Sequence, residues 1–294
     1  MAYGSFRAEN GQPITIGTGY TKCSYYINSR SYPDISIFKT SSTQNVKVAL
    51  KTSGWVKLGD SSLTPTGATV VAKTNCAFFD GKVPDPFYGI FYTNGKLYLH
   101  GKEITSPSTN AALKSELADN GHYPSLCISG NTAYVHWWGT VDKFISDYKS
   151  YDTIISGGQC LVFQGSMVFQ ERAVLSDINF RIAYESVSKS DKTCHYNSVI
   201  GSAASARART LLGWSGVDSS FYMVCTDEKG VAGSGGSMDV KVAAQLMADL
   251  NCYSAINLDG GGSTQMITGS AGNWTTRVAG EGRSFCTAVC ACTK

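Results

Sequence analysis

The stretch Asn257-Leu258-Asp259-Gly260-Gly261-Gly262-Ser263-Thr264, which follows the apolar pair Ala255-Ile256, decides how the rest of the chain is read. An apolar strand that ends in an acid and three consecutive glycines is unusual as packing. Each glycine loses backbone entropy on ordering and brings no side chain to a core. Alone, Gly-Gly-Gly is a tight turn. With Asp259 at the strand end and the hydroxyls of Ser263 and Thr264 beyond, it reads as a site. The N–H groups of Gly260, Gly261 and Gly262 are expected to turn toward an anion that bare backbone lets approach closely.

Just upstream, Val242, Ala243, Leu246, Met247 and Leu250 recur at helical spacing and predict an amphipathic helix, preceded by a glycine-rich loop at 230–236. Before that, Phe221-Tyr-Met-Val-Cys-Thr reads as a buried strand ending at Asp227, and Arg209-Thr210-Leu211-Leu212-Gly213-Trp214 as another. Further strands are expected at Ile35–Phe38, Val46–Leu50 and Ala68–Ala72, the last delivering Asn75, and at Thr153–Ile155, which leads into Ser156-Gly157-Gly158. Thr93-Asn94-Gly95-Lys96 marks a hairpin. Short helices are predicted over 108–117 and 141–148, and a closing strand opens at Arg283. Residues 171–205 lack periodicity and read as a long loop or lid. Residues 1–34, polar and glycine-rich, read as an irregular or short-stranded extension that serves attachment or covers the site, ahead of a catalytic domain over 35–294.

Lysine and arginine exceed aspartate and glutamate by only 3 among 294 residues, with no basic run, so nucleic acid and anionic membrane are not expected as partners. No stretch approaches the roughly 20 apolar residues of a membrane span. The opening Met1-Ala-Tyr-Gly-Ser-Phe-Arg lacks a basic-then-apolar signal pattern. That predicts synthesis in the cytoplasm, and suits a phage-encoded protein released by lysis or carried on a virion. Oligomeric state is not legible. Ten cysteines lie scattered, several within apolar runs and without a C-x-x-C pair. They are expected as reduced core residues, with Cys286, Cys290 and Cys292, on one parity, the weak metal-binding alternative. No metal and no cofactor is called for.

Several strands thus end at polar residues: Asn75, Ser156-Gly157, Asp227 and Asp259, with Arg209 and Arg283 opening two more. Such groups tend to converge on one crevice, because the strand interiors belong to the core. Asp227 could equally be ordinary turn chemistry. Arg209 and Arg283 are the expected anion partners, since guanidinium binds phosphate through two points; Arg207 and Arg277 read as surface charge. Phosphate-loop, dinucleotide, zinc-protease and serine-hydrolase signatures are missing, and the four histidines stand apart with no motif around them.

Taken in order, Asn75-x-x-Phe78-Phe79, Ile155-Ser156-Gly157-Gly158 with Leu161-Val and Gly165, Ala208-Arg209-Thr210 with Gly213, Asn257–Thr264 after its helix, and Arg283 before Thr287-Ala-Val-Cys resemble the phosphodiester glycosidase family across about residues 35–292. The chain departs from that family's pattern at Cys76-Ala77, where a small glycine-like pair is usual, and at Asp227-Glu228, where Asp-Gly is usual. The resemblance implies an α/β (α+β) fold, a mixed β-sheet core with few flanking helices, and hydrolysis of a sugar-1-phosphodiester at the anomeric C–O bond. Asp259 would stabilise an oxocarbenium-like centre or activate water, Asn75 would orient substrate hydroxyls, and Asp227 joins them as a catalytic candidate. Arg209, Thr210, Gly260–Gly262, Ser263, Thr264, Arg283, Ser156 and Gly157 would bind the sugar phosphate. The substrate is expected to be a glycan or small glycoconjugate, with a nucleotide-derived glycosidic phosphodiester as an alternative. The rival from another class is a non-catalytic glycan-binding or virion structural protein, using Tyr25-Tyr26, Trp137-Trp138 and Trp274 as stacking surfaces.

Overall fold

A computed structural model describes residues 3–79, 87–118, 124–136, 138, 141–167, 206–227 and 236–293. The expected lid over 171–205 and most of the 230–236 loop fall outside the described residues. Within them the chain is mainly β, with three short α-helices: Ala111–Ala118, Val141–Asp147 and Val240–Asp249.

Three sheets carry the fold. The largest runs in the spatial order Ser5–Arg7, Gly19–Ile27, Arg30–Thr40, Phe221–Thr226, Thr210–Ser215, Cys252–Asn257, Gln159–Phe163, Ser166–Met167. The second holds Thr132–His136, Ser125–Ser129, Thr153–Ser156, Ile90–Thr93, Lys96–Leu99 and Lys102–Glu103. The third holds Asn273–Val278, Met266–Ser270, Thr69–Asn75, Thr287–Thr293 and Val46–Leu50. Where a mixed sheet was expected, neighbouring strands in all three pair antiparallel.

The residues themselves do not show strand direction, because the central strands are buried on both faces. Leu212, Trp214, Phe221, Met223 and Cys225 point into a central core shared by all three sheets. The alternate residues Leu211, Tyr222 and Val224 point outward under the Val240–Asp249 helix. A strand covered on both faces reads as a continuous apolar run, the usual mark of parallel strands, although its neighbours here are antiparallel. The helix begins at Asp239, whose carboxylate accepts the Val242 N–H at 2.8 Å. It settles close to the sheet at Gly213, where a Cβ would stand 2.5 Å from Met247 Cε and 2.7 Å from Cys252 Sγ. Two further cores cover the outer faces of the second and third sheets.

The hairpin at Asn94-Gly95 forms as its residues dictate, both with positive φ (51° and 75°). Residues 3–34 hold more regular strand than their composition predicts. Gly19–Ile27 is a nine-residue strand joined to Arg30–Thr40 through Asn28 and Ser29, at φ 49° and 61°. Tyr25 is fully buried and its hydroxyl donates to Asp249 Oδ2 at 2.5 Å, fastening this strand to the helix. The nine described cysteines are buried and form no disulfide with one another, with Cys286 in the central core and Cys290 and Cys292 in the outer core of the third sheet.

Candidate active site

The chain ends of the strands meet at one side of the largest sheet, where a cavity of about 500 Å³ opens. Arg209, Asp227, Asp259, Gly260, Gly261, Gly262, Thr264 and Arg283 line it, so eight of the residues singled out in the sequence come together. Asn75, Thr210 and Ser263 stand directly behind this wall. Ser156 and Gly157 do not line it. The Ser156 hydroxyl accepts from the Ile90 N–H and donates to the Ile90 carbonyl, both at 2.8 Å, and a Cβ on Gly157 would stand 2.9 Å from the Asn257 carbonyl. Ser156 thus ties two strands within the second sheet, and Gly157 lets that sheet approach the first, where the Gly158 N–H donates to the Asn257 carbonyl at 2.7 Å.

Asn75 is wholly buried at the end of its strand. Its Nδ2 donates to the Asp259 backbone carbonyl at 2.8 Å, while its Oδ1 accepts from Thr210 Oγ1 at 2.8 Å and from the Gln265 N–H at 3.0 Å. It therefore fixes where Asp259 leaves its strand, and reaches the cavity through that residue. Thr210 is spent on the same junction.

The Asp259 carboxyl is pushed up to about 7 by burial, against the opposing pull of the Ser263 hydroxyl, the Arg283 guanidinium and the Gly260 N–H. A relay is visible here: Arg283 Nη1 donates to Ser263 Oγ at 3.3 Å, and the Ser263 hydroxyl serves Asp259. A carboxyl held near neutrality in a cleft is the state a general acid or base needs.

The three-glycine loop differs in one respect from the sequence expectation. Its N–H groups do not all face an anion, because the Gly261 N–H goes to the Ala208 carbonyl at 2.8 Å and the Ser263 and Thr264 N–H groups close a short 3-10 turn. The glycines are needed for proximity. A Cβ on Gly260 would stand 2.6 Å from the Ala208 carbonyl oxygen, Gly261 has φ 57°, and a Cβ on Gly262 would overlap the Glu281 carboxyl.

Positive charge comes from Arg209, Arg283 and Arg207, the last read from the sequence as plain surface charge but found on the cavity wall. Arg209 is 3% exposed and its Nε donates to the Met238 carbonyl at 3.0 Å, which aims the guanidinium. Arg277, by contrast, lies over the Tyr20 ring. Glu281 was missed: nothing marks it in sequence beyond its place between Gly280 and Gly282. Thr264 Oγ1 and Asn257 Oδ1 are buried beside the cavity with no hydrogen-bond partner among the described residues, which leaves them for a bound molecule or water. Among the described residues, no three His, Cys, Asp or Glu side chains gather as a metal site, and no helix is long and apolar enough to cross a membrane.

A family model for phosphodiester glycosidases matches residues 68–291, more than half of the chain. The chain belongs to the phosphodiester glycosidase family. Among solved structures, the catalytic domain of zebrafish N-acetylglucosamine-1-phosphodiester alpha-N-acetylglucosaminidase, described as auto-inhibited by its pro-peptide, is similar with a TM-score of 0.58 at 14% identity, covering 100% of this chain and 83% of that one. That likeness is one of fold. A hypothetical protein from Synechocystis aligns with a TM-score of 0.47 at 10% identity, over 99% of this chain and 67% of its own. No curated protein sequence matches.

Proposed function

We propose that the protein hydrolyses the anomeric C–O bond of a sugar-1-phosphodiester carried by a glycan or small glycoconjugate. The observation that carries this reading is the Asp259 carboxyl, raised to about 7, in a cavity it shares with Arg207, Arg209 and Arg283. A phosphate monoester is a good leaving group, so little proton donation to it is needed, and guanidinium groups can hold the charge that develops as it departs. In its ionised form Asp259 takes the proton of a water molecule whose oxygen bonds to the anomeric carbon, or steadies positive charge there. Thr264 Oγ1 and Asn257 Oδ1 offer hydrogen-bonding capacity to sugar hydroxyls. Of the aromatic residues a purely glycan-binding protein would use, Tyr25 and Trp138 are buried and offer no stacking face, while Tyr26 and Trp274 are partly exposed.

The test is a synthetic N-acetylglucosamine-1-phosphodiester incubated in oxygen-18 water. Release of free sugar labelled at its anomeric oxygen is the expected result. Label in the phosphate, or binding without release, would overturn the reading.

A further inference from the structure

Two glycines bring an acid onto the anion side of the cavity. Gly280 adopts φ 52°, and any Cβ there would lie 2.6 Å from both the Gly262 and Thr264 carbonyl oxygens, so the strand connection can press against the glycine loop only at this residue type. The next residue, Glu281, is then held by its N–H, which donates to the Gly262 carbonyl at 2.8 Å. Its carboxyl fills the room that the absent side chain of Gly262 leaves. From there Oε2 accepts from Arg283 Nε at 3.0 Å and Nη2 at 2.6 Å. Arg283, an exposed arginine of the cavity wall, thus already carries a negative partner, and both line the cavity.

Such a pair is a poor device for stability, since its side chains are 66% and 45% exposed. We infer that Glu281 is a specificity-determining residue, whose charge makes the Arg283 site favour the singly charged phosphodiester over the doubly charged phosphomonoester. The inference rests on the phosphodiester reading above and deepens it. A diester carries one negative charge, whereas the monoester left after cleavage carries nearly two at pH 8, because its second ionisation falls near 6. Repulsion from Glu281 acts once on substrate and twice on product. The residue therefore speeds product release and keeps free phosphomonoesters from occupying the site. Glu281 touches Arg283 and the phosphate's surroundings, with no role in bond cleavage itself.

The experiment compares wild type with Glu281→Gln, an isosteric change at an exposed side chain that keeps an oxygen acceptor for Arg283. Methyl phosphate and dimethyl phosphate are titrated into each at pH 8 and low salt, followed by phosphorus-31 NMR. One unit charge at cavity distances in a largely aqueous setting is worth about threefold to tenfold in affinity. The expected result is that the preference for methyl phosphate over dimethyl phosphate rises by about that factor in Glu281→Gln, with a matching increase in product inhibition during turnover. An unchanged preference, or weaker methyl phosphate binding by the variant, overturns the inference; if wild type still hydrolyses the diester, the functional reading survives alone. Failure of both anions to bind either protein overturns the phosphate site and the inference together.

Discussion

Replacing Asp259 with Asn should stabilise the protein at alkaline pH while abolishing its proposed activity. The folded chain holds this carboxyl at about 7 against an ordinary value of 3.8. Between about pH 4 and 7 the folded state therefore keeps a proton that the unfolded chain has released, so stability falls as pH rises through that window and the deficit is complete above it. In full, that displacement corresponds to about 4 kcal/mol; water reaching the open cavity reduces it to about 2–4 kcal/mol. Asn carries no such deficit, and its Oδ1 still accepts from Ser263 and the Gly260 N–H. A chain of this length unfolds with an entropy of about 0.6 kcal/mol/K, so the gain appears as roughly 3–6 °C in Tm at pH 8.5. At pH 4 the two melting curves should nearly coincide. Urea unfolding of both proteins from pH 4 to 8.5 measures this directly. Equal stabilities at pH 8.5, or a gap that does not close as pH falls, would refute the assignment of a strained ionisation to Asp259.

If Asp259 works as a base, kcat/KM for a sugar-1-phosphodiester should rise with pH through about 7, and Asp259→Asn should lower it at least about a hundredfold above that pH, with the gap narrowing as pH falls below it. Asn75→Ala removes the hydrogen bonds to Asp259, Thr210 and Gln265 from a wholly buried junction; a loss of about 3–5 kcal/mol is expected, read as a Tm lowered by roughly 5–8 °C. Arg209→Lys keeps the charge but loses the Nε donation to Met238, and kcat/KM should fall about tenfold or more, with far-UV circular dichroism unchanged. The nine described cysteines are buried, and Cys23, Cys225, Cys286 and Cys290 are each pushed up to about 12 by burial; none of the nine should react with a thiol reagent until the protein unfolds.

What the sequence made legible follows from which signals are local. Strand ends carrying Asp259, Asp227 and Arg209 could be named, because an acid or arginine at the edge of an apolar run stands out and the folded strands bring those edges together; Arg283 reaches the cavity from the connection before the closing strand, which begins at Thr287 and not at Arg283 as expected. The hairpin at Asn94-Gly95 could be named because its turn chemistry is explicit. The turn at Asn28-Ser29 could not, since it adopts the same positive-φ geometry without a glycine, and so the nine-residue strand before it looked irregular. Strand direction was hidden in Thr210–Ser215 and Phe221–Thr226, where cover on both faces erased the alternation that betrays an antiparallel sheet. Ser156-Gly157 looked like a binding loop because a buried serine bonding backbone and a glycine admitting a neighbouring strand use the same letters as an anion loop. Glu281 had no signature because what places it is the backbone of Gly280 against Gly262, a contact between distant residues.

The Asn75 junction has one more consequence. Its side chain belongs to the third sheet and grips Thr210 of the first together with the outgoing Asp259 backbone, so the acid stands on the seam between two structural blocks. The affinity of Asp259 for its proton then works as a gauge of how tightly that seam is shut. Any strain, pressure or distant substitution that parts the sheets admits water, drops the ionisation toward that of an ordinary carboxylate, and writes itself into the pH profile before the protein unfolds.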